Sequence, residues 1–578
     1  MKRISYTPLT IAFASFVLAN KVLALPSTNT IAEPAADVND VLEKSVQAVG
    51  GEDVLASIKG ITYHAPNIYR SQTLTQSYNL FQSDQSVATA GAQDMSFDFT
   101  GPELRRRIDR TYSYGDYWIW AFPNLQPAIN YTMISETGSN GFAYFVHGQN
   151  SFFSEDPTEA LGYADGLLAD FLTHQSIQFG FPVLLSSWKR DAENTYYTEV
   201  KDETTGLSFP AVTNPDVNLT IIFNSTSSMP HIIRSYEDNN IFGNSTSDLL
   251  LSDYKPVHIM GNTTAMLPHR FQTIYNSRHV IEDFVVESIS VNPDFPDGYF
   301  LPSHNSSVGG HAPSRRPDYD RAEVHEFFET GLWEGPFDFN TSDVVAQELV
   351  PGSHDILSVY VGYADYAQMI VKFDEGVLIT DAPPHRSKII IQWVEENLGA
   401  EIKYVAPSHH HHDHAYGVGD YIAAGASLVI PEIARDYYSQ VNGGDVTIIT
   451  FNETHPFILK DDAVQFRAMY HDEPPHAKDW TYSIATTACP KADDGIVVFN
   501  ADVWSPGTDG LRFDTGYAKQ WLDMAVVDGL PLQSVVLGAH GDKDNRTSEE
   551  LQGLIDILGY AYPSFNLDGW TAGGPLCA

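Results

Sequence analysis

Ser408-His409-His410-His411-His412-Asp413-His414 decides how this chain is read. Residues of metal-ligand type stand side by side in the frame His-x-His-x-Asp-His, with His410 and His412 in the x positions. Upstream, Glu401 to Ala406 (EIKYVA) is a short apolar run closed by Pro407, which predicts a buried strand ending in a loop. Downstream, Ala415 to Gly425 (AYGVGDYIAAG) predicts a glycine-opened helix. Neutral imidazole and carboxylate are zinc's nitrogen and oxygen ligands. So short a segment cannot wrap every donor around one ion. It can turn His409 and His411 toward one ion and Asp413 and His414 toward a second. A purification tag also shows consecutive histidines, but it sits at a terminus, without a strand before it and an Asp-His after it.

Three later blocks end apolar runs in further donors. Val464 to Met469 leads into Tyr470-His471-Asp472-Glu473-Pro474-Pro475-His476. Gly495 to Ala501 (GIVVFNA) ends at Asp502, and Ser534 to Ala539 (SVVLGA) ends at His540. With these residues in order, the last two-fifths or so of the chain resembles the metallo-β-lactamase superfamily. The resemblance implies an αββα sandwich. His409, His411 and His476 would hold one zinc ion, Asp413, His414 and His540 a second, and Asp502 would bridge them. His471 competes with His476. The Pro-Pro-His-Ala setting favours His476 and leaves His471 as a pocket wall or a neighbour of the ligands. His410 and His412 have no ligand role in the pattern, and each reads as a solvent-facing residue or a support for a ligand. Asp381, at the end of the apolar run Gly376 to Thr380, either buttresses the metal loop, as an acid there does in the family, or opens the turn before Pro383-Pro384.

The implied activity is that of a hydrolase (EC 3). Two Zn2+ ions per chain would lower the pKa of a water to give hydroxide near neutral pH, with Asp413 as the catalytic residue that holds the nucleophile and takes its proton. Iron or manganese are other metals such a donor set accepts. No Gly-x-Ser-x-Gly stretch occurs. The expected substrate is a diffusible small molecule with a lactone, lactam or ester-type bond. The alternative is a secreted binding protein whose N-terminal β region holds an apolar ligand while the metal site is structural or vestigial. All seven family positions are filled, which weighs against a vestigial site. An oxidoreductase on the same scaffold is the third reading, and nothing after His540 looks like a flavodoxin.

The chain starts with Met1-Lys2-Arg3 and an apolar core, Ile11 to Ala19, too short to span a bilayer. With Val22-Leu23-Ala24 or Val17-Leu18-Ala19 as a cleavage site, this start reads as a secretory signal peptide, taken as residues 1–24. Asn-x-Ser/Thr sequons at Asn130, Asn218, Asn224, Asn244, Asn262, Asn305, Asn340, Asn452 and Asn545 fit a secreted protein with N-linked glycans. With 33 basic and 74 acidic residues the net charge is −41, which disfavours nucleic acid or an anionic membrane surface as partner. No apolar run of membrane-spanning length follows the signal. Cys489 and Cys577 either pair in an oxidising compartment, tying the tail to the loop between His476 and Asp502, or stay as thiols.

The expected fold class is α+β. Residues 37–303 form an antiparallel β domain: a helix over Val38 to Val49 stopped by Gly50-Gly51, a second over Glu52 to Ile58, then alternating runs such as Leu104 to Tyr112, Asn218 to Phe223, His231 to Tyr236, Arg270 to Tyr275 and Phe284 to Val291. Ala48 to Gly51 and Ser288 to Pro293 weakly resemble lipoprotein-carrier-like half-barrels. The aromatic residues Tyr112, Tyr114, Tyr117, Trp118 and Trp120 read as core and sheet-face residues. Residues 304–343 are a linker and a helix, with Gly309 to Pro317 the linker and Tyr319 to Trp333 the helix. Residues 344–578 are the hydrolase domain, with a helix from Ser387 to Leu398, another near Glu432 to Val441 and a closing one from Glu549 to Leu558.

Overall fold

The computed structural model describes residues 38–72, 88–112, 131–147, 162–163, 166–202, 205–277, 279–302, 339–350, 354–362, 366–384, 386–490, 495–504, 515–540, 548–563 and 565. The signal peptide, the 309–317 linker, the helix expected at 319–333, Tyr114, Tyr117, Trp118, Trp120, the sequons at Asn130, Asn305 and Asn545, and Cys577 lie outside them. The fold is α+β, built on three sheets.

The first sheet has 14 strands among the described residues, all neighbours antiparallel. Two meanders meet at its centre, where Gly60–Gln72 pairs with His279–Val285. Strands with one buried face need something to cover it. Three helices do so: Val38–Val49, Gly166–Phe179 and Phe181–Arg190. Leu42, Val46, Leu172, Phe179, Leu185 and Trp188 share an apolar core with Tyr63, Phe97, Phe271 and Phe284 of the strands.

Two of these helices, Gly166–Phe179 and Phe181–Arg190, were not expected within the antiparallel β region. Ala169, Leu172, Ser176 and Phe179 are buried at helical spacing on one, and Pro182 opens the other. The run Phe284 to Val291 is also not one strand. It is the end of His279–Val285 and, after a break, Ser288–Val291, which pairs with the start of Gly60–Gln72. A register shift between Ala65 and Tyr69 lets that one long strand serve both partners.

The remaining two sheets pack face to face. The seven-stranded one carries Gly376–Thr380 and Ile402–Ala406 side by side and parallel; the six-stranded one carries Val497–Asn500 and Val535–Gly538 the same way. Strand alternation decides which side chains go between the sheets. Val497 and Phe499 point into the layer shared with Met369, Val371, Leu378 and Phe466, while Val498 points out beneath the helices Thr515–Asp528 and Leu551–Leu558. On the far side of the seven-stranded sheet lies Ser387–Leu398, stopped by Gly399 in the left-handed conformation (φ 58°).

Two expected helices take another form. The segment after the metal loop is a turn, His412–Ala415, then a separate short helix, Val418–Ala423, because the chain kinks at Gly417. A Cβ at Gly417 would lie 2.8 Å from the Pro383 carbonyl oxygen, so only glycine fits. Near Glu432 to Val441 there is no α-helix but 3-10 turns at Glu432–Ala434 and Val441–Gly444, broken by Asn442 and Gly443 at positive φ. Burial of Ala434, Tyr437, Tyr438 and Val441 takes precedence over helical continuity there.

Candidate metal centre

Each donor leaves a strand at its carboxyl end, where the backbone must turn. Gly376–Thr380 and Ile402–Ala406 end together, and the loops beyond them are clipped: Asp381 N–H donates to the Ala406 carbonyl (3.1 Å), Ala382 N–H to that of His414 (2.7 Å) and Gly417 N–H to that of Ala382 (2.8 Å). In the other sheet Val497–Asn500 and Val535–Gly538 end in Asp502 and His540. Asp381 and Asp502 both sit at positive φ, 56° and 63°, a conformation aspartate tolerates better than most residues. With His476 on the loop after Val464–Met469, the stacked pair of sheets delivers two loops from one sheet and three from the other to one place.

The structure brings all seven sequence-derived donors together, in two groups that share Asp502. One is His409, His411, His476 and Asp502; the other is Asp413, His414, Asp502 and His540; within each group the donor atoms lie within 4.8 Å of one another. Asp502 Oδ2 is 3.2 Å from His409 Nε2, 3.1 Å from His414 Nε2 and 3.2 Å from His476 Nε2; its Oδ1 is 2.8 Å from His540 Nε2. Asp413 Oδ2 is 3.1 Å from His414 Nε2 and 3.4 Å from His540 Nε2. His411 Nδ1 faces His476 Nε2 at 3.1 Å.

The outer nitrogens show what the inner ones offer. His414 Nδ1 donates to Asp381 Oδ2 (2.7 Å), and His409 Nδ1 pairs with Ser408 Oγ (3.0 Å). A neutral imidazole has one N–H, so with that proton outward each Nε2 turns a lone pair inward. Nε2 of His409, Nε2 of His414 and Oδ1 of Asp502 are buried with no aligned hydrogen-bond partner. Bare imidazole nitrogens and carboxylate oxygens converging in a dry pocket are stable together only around a cation. The residues present therefore fit divalent metal, and the nitrogen-rich set suits zinc.

The electrostatics agree. Burial, with the nearby His414 charge, pushes the His409 ring down to about 4, and burial with His409 and His476 holds His411 well below its ordinary value. Both are then neutral ligands. Burial opposes charge on His414 and His540 as well, but it is outweighed. Asp413, Asp502 and Asp381 raise His414 far above its usual range, and Asp502 and Asp413 raise His540 to about 10. Burial would raise the Asp413 and Asp502 carboxyls; His414 and His540 keep both well below the usual carboxylate range. In metal-free protein the two acids thus hold protons on His414 and His540, and a bound dication takes the place of those protons.

Asp381 buttresses the loop. Its Oδ1 accepts the Ser408 N–H (2.6 Å) while Oδ2 holds His414. Asp381→Asn keeps a residue that accepts positive φ but offers an amide N–H to His414 Nδ1, which drives the proton to Nε2 and spoils the ligand. Its expected effect is a loss of about 10- to 100-fold in metal affinity, read by chelator competition. Wild-type affinity in that variant would reduce Asp381 to a turn residue.

The x-position histidines are not at the surface. His410 is fully buried with Nδ1 2.8 Å from Asp479 Oδ1, and His412 is 1% exposed beside Tyr416. The solvent-facing reading of both is corrected: loops pack over them on either side. Asp479 itself was missed from sequence, because nothing local ties an acid three residues after His476 to a ring 69 positions earlier. His471 lies outside both donor groups, with Nε2 2.9 Å from Asp528 Oδ2 and Nδ1 3.4 Å from Glu453. Cys489 is disulfide-bonded; Cys577, the partner considered for it, lies outside the described residues.

Side-chain exposure marks the open side of the centre: 18% for His476, 12% for His540 and 11% for Asp502. Tyr517 stands edge-on to His476 (5.6 Å between ring centres) and Tyr366 to His540 (5.0 Å).

No family model matches the chain, and no curated protein matches it. Solved structures do. A metallo-β-lactamase from Pontibacter korlensis is 15% identical, with 38% of this chain aligned to 99% of that one at a TM-score of 0.29. A subclass B3 metallo-β-lactamase of Bradyrhizobium japonicum is 19% identical over 34% of this chain and 77% of its own, at 0.24. A B3 enzyme described as having an active-site glutamic acid is 15% identical over 38% and 93%, at 0.26.

Proposed function

We propose that this protein is a metal-dependent hydrolase of the metallo-β-lactamase type, which cleaves a lactone, lactam or ester-type bond in a small molecule. The observation that carries the reading is the pair of donor groups joined at Asp502. Two face-to-face sheets with helices outside, the αββα arrangement, are what such a centre is built on. His409, His411 and His476 would hold one ion, Asp413, His414 and His540 the other, with Asp502 between them. Metal bound by these residues, two zinc ions on this reading, would supply Lewis acidity and a lowered pKa for water near neutral pH.

The chain's own residues do the rest. Asp413 would accept a hydrogen bond from the attacking water and then its proton. Asp381 and Ser408 hold the outer nitrogens of His414 and His409, so the inner nitrogens stay bare. Tyr366 and Tyr517 stand beside His540 and His476, where a substrate would meet them.

The signal-like N-terminus supports secretion with cleavage after Ala24, and the sequons support glycosylation. Asn244, Asn262 and Asn340 are exposed and suit a glycan. Asn218 does not, since its Nδ2 donates to the Tyr236 carbonyl at 2.6 Å.

The test is metal content per chain on secreted protein, beside His411→Ala, with a lactone, β-lactam and ester screen. Two zinc per chain, fewer in the variant, and turnover of one substrate class are expected. A folded protein that takes up no metal would overturn the proposal and favour the binding-protein alternative.

A further inference from the structure

The 14-stranded sheet reaches the metal loop. Its strands Pro230–Asn239 and Gly243–Met260 are joined by a tight hairpin whose tip carries Asn240, Ile241 and Phe242. Asn239, itself buried, shapes the tip: Oδ1 accepts the backbone N–H groups of Ile241 (2.9 Å) and Phe242 (3.0 Å), and Nδ2 donates to the Tyr275 hydroxyl (3.2 Å). So held, Ile241 and Phe242 are buried outside their own sheet.

Phe242 meets the loop region directly. Its ring is edge-on to Tyr437 at 5.3 Å and lies 6.2 Å from the His412 ring. Tyr437 packs in turn on the His410 ring at 5.2 Å, and its hydroxyl donates to the His410 carbonyl (3.3 Å). The approach is close enough to crowd a side chain at two points. A Cβ at Gly419 would lie 3.1 Å from the Asn240 carbonyl oxygen, and one at Gly243 would lie 3.0 Å from that of Gln440. Buried side chains of the hairpin and of the metal-loop region belong to one apolar cluster.

We propose that this hairpin is a positioning element of the metal centre, with Phe242 the residue that sets the loop through Tyr437, His410 and His412. Four donors leave the chain within six residues, His409 to His414, on irregular backbone. Their directions depend on that backbone being held to a few tenths of an ångström. It is clipped at Ser408, by Asp381 and by Thr481, and at the His414 carbonyl, by Ala382. Between these clips the x-position histidines provide the grip, His410 on Asp479 and Tyr437, His412 on Phe242. The N-terminal sheet is then a working part of the site rather than a detachable module.

The proposal rests on the metal-centre reading, and its test separates the two. In the full chain, Phe242→Ala and Phe242→Leu are compared with Phe97→Ala. Phe97 is a buried ring on the same sheet that packs on Tyr63 and Phe99. Zinc affinity is read by chelator competition and ligand geometry by the visible spectrum of the Co2+-loaded protein. Phe242→Ala is expected to weaken zinc by about tenfold or more and to shift the spectrum. Phe242→Leu, which keeps apolar volume, is expected to recover most of both. Phe97→Ala is expected to lower the melting temperature with affinity and spectrum unchanged. Wild-type affinity and spectrum in Phe242→Ala would overturn the proposal, as they would, should that variant not fold, in Tyr437→Leu, which removes the ring between Phe242 and His410. Absence of zinc binding by the unaltered protein would overturn the metal-centre reading instead.

Discussion

Asp413→Ala is expected to abolish hydrolysis while leaving the protein folded. Asp413 stands in the single turn His412–Ala415, where alanine is a better helix former than aspartate and no side-chain cap is lost. Its carboxylate faces His414 and His540 at 3.1 and 3.4 Å. Losing it removes one donor from the second group and the acceptor for the water's proton. Proton transfer alone is worth about 10²- to 10⁴-fold, so roughly 10³-fold or more should be lost even with zinc saturating, about 4 kcal/mol in barrier. Turnover at saturating metal, beside circular dichroism and melting temperature, reads both halves of the expectation. Undiminished turnover would refute the assignment of Asp413.

Asp502→Asn should cost metal rather than fold. Asparagine accepts the positive φ of this position and keeps the shape of the side chain. It removes the one negative charge that both donor groups share. His409, His414, His476 and His540 all stand within 3.2 Å of that carboxylate, and Asp413 reaches only His414 and His540 of the four. Metal content is expected to fall from two ions per chain to one or fewer, with hydrolysis lost alongside. Elemental analysis after equilibration with zinc decides it. Two tightly held ions in this variant would show that Asp502 does not join the two groups.

The local parts of this structure were legible before the fold was known. Ser387 to Leu398 was readable as a helix because Ile390, Ile391, Val394 and Leu398 recur at its period and Gly399 ends it. His476 was separable from His471 by its Pro-Pro-His-Ala setting, and the structure puts His476 beside His411 while His471 turns to Asp528. What failed were segments whose shape is set by remote packing. The 166–190 region follows one meander of strands and precedes another, and strand-like surroundings hid its two helices. The stretch from Glu432 to Val441 has helix-forming residues, yet Tyr437 and Tyr438 are drawn inward and the turn at Asn442-Gly443 breaks any continuity.

By itself the sequence determined the donor types, their order and their local spacing. Those depend on covalent neighbours and on the alternation of side chains along extended chain, which act over a few residues. Only the tertiary structure decided which outward nitrogens are held, that Asp381 and Asp479 support different histidines, and that Phe242, some 170 residues before the metal loop, lies behind it. Such contacts are chosen by burial of apolar surface between whole layers, and that term is non-directional. No pattern within a short window encodes it. His410 and His412 make the point: the same residue type as their neighbours, they fall outside both donor groups and are buried instead against Asp479, Tyr437, Tyr416 and Phe242.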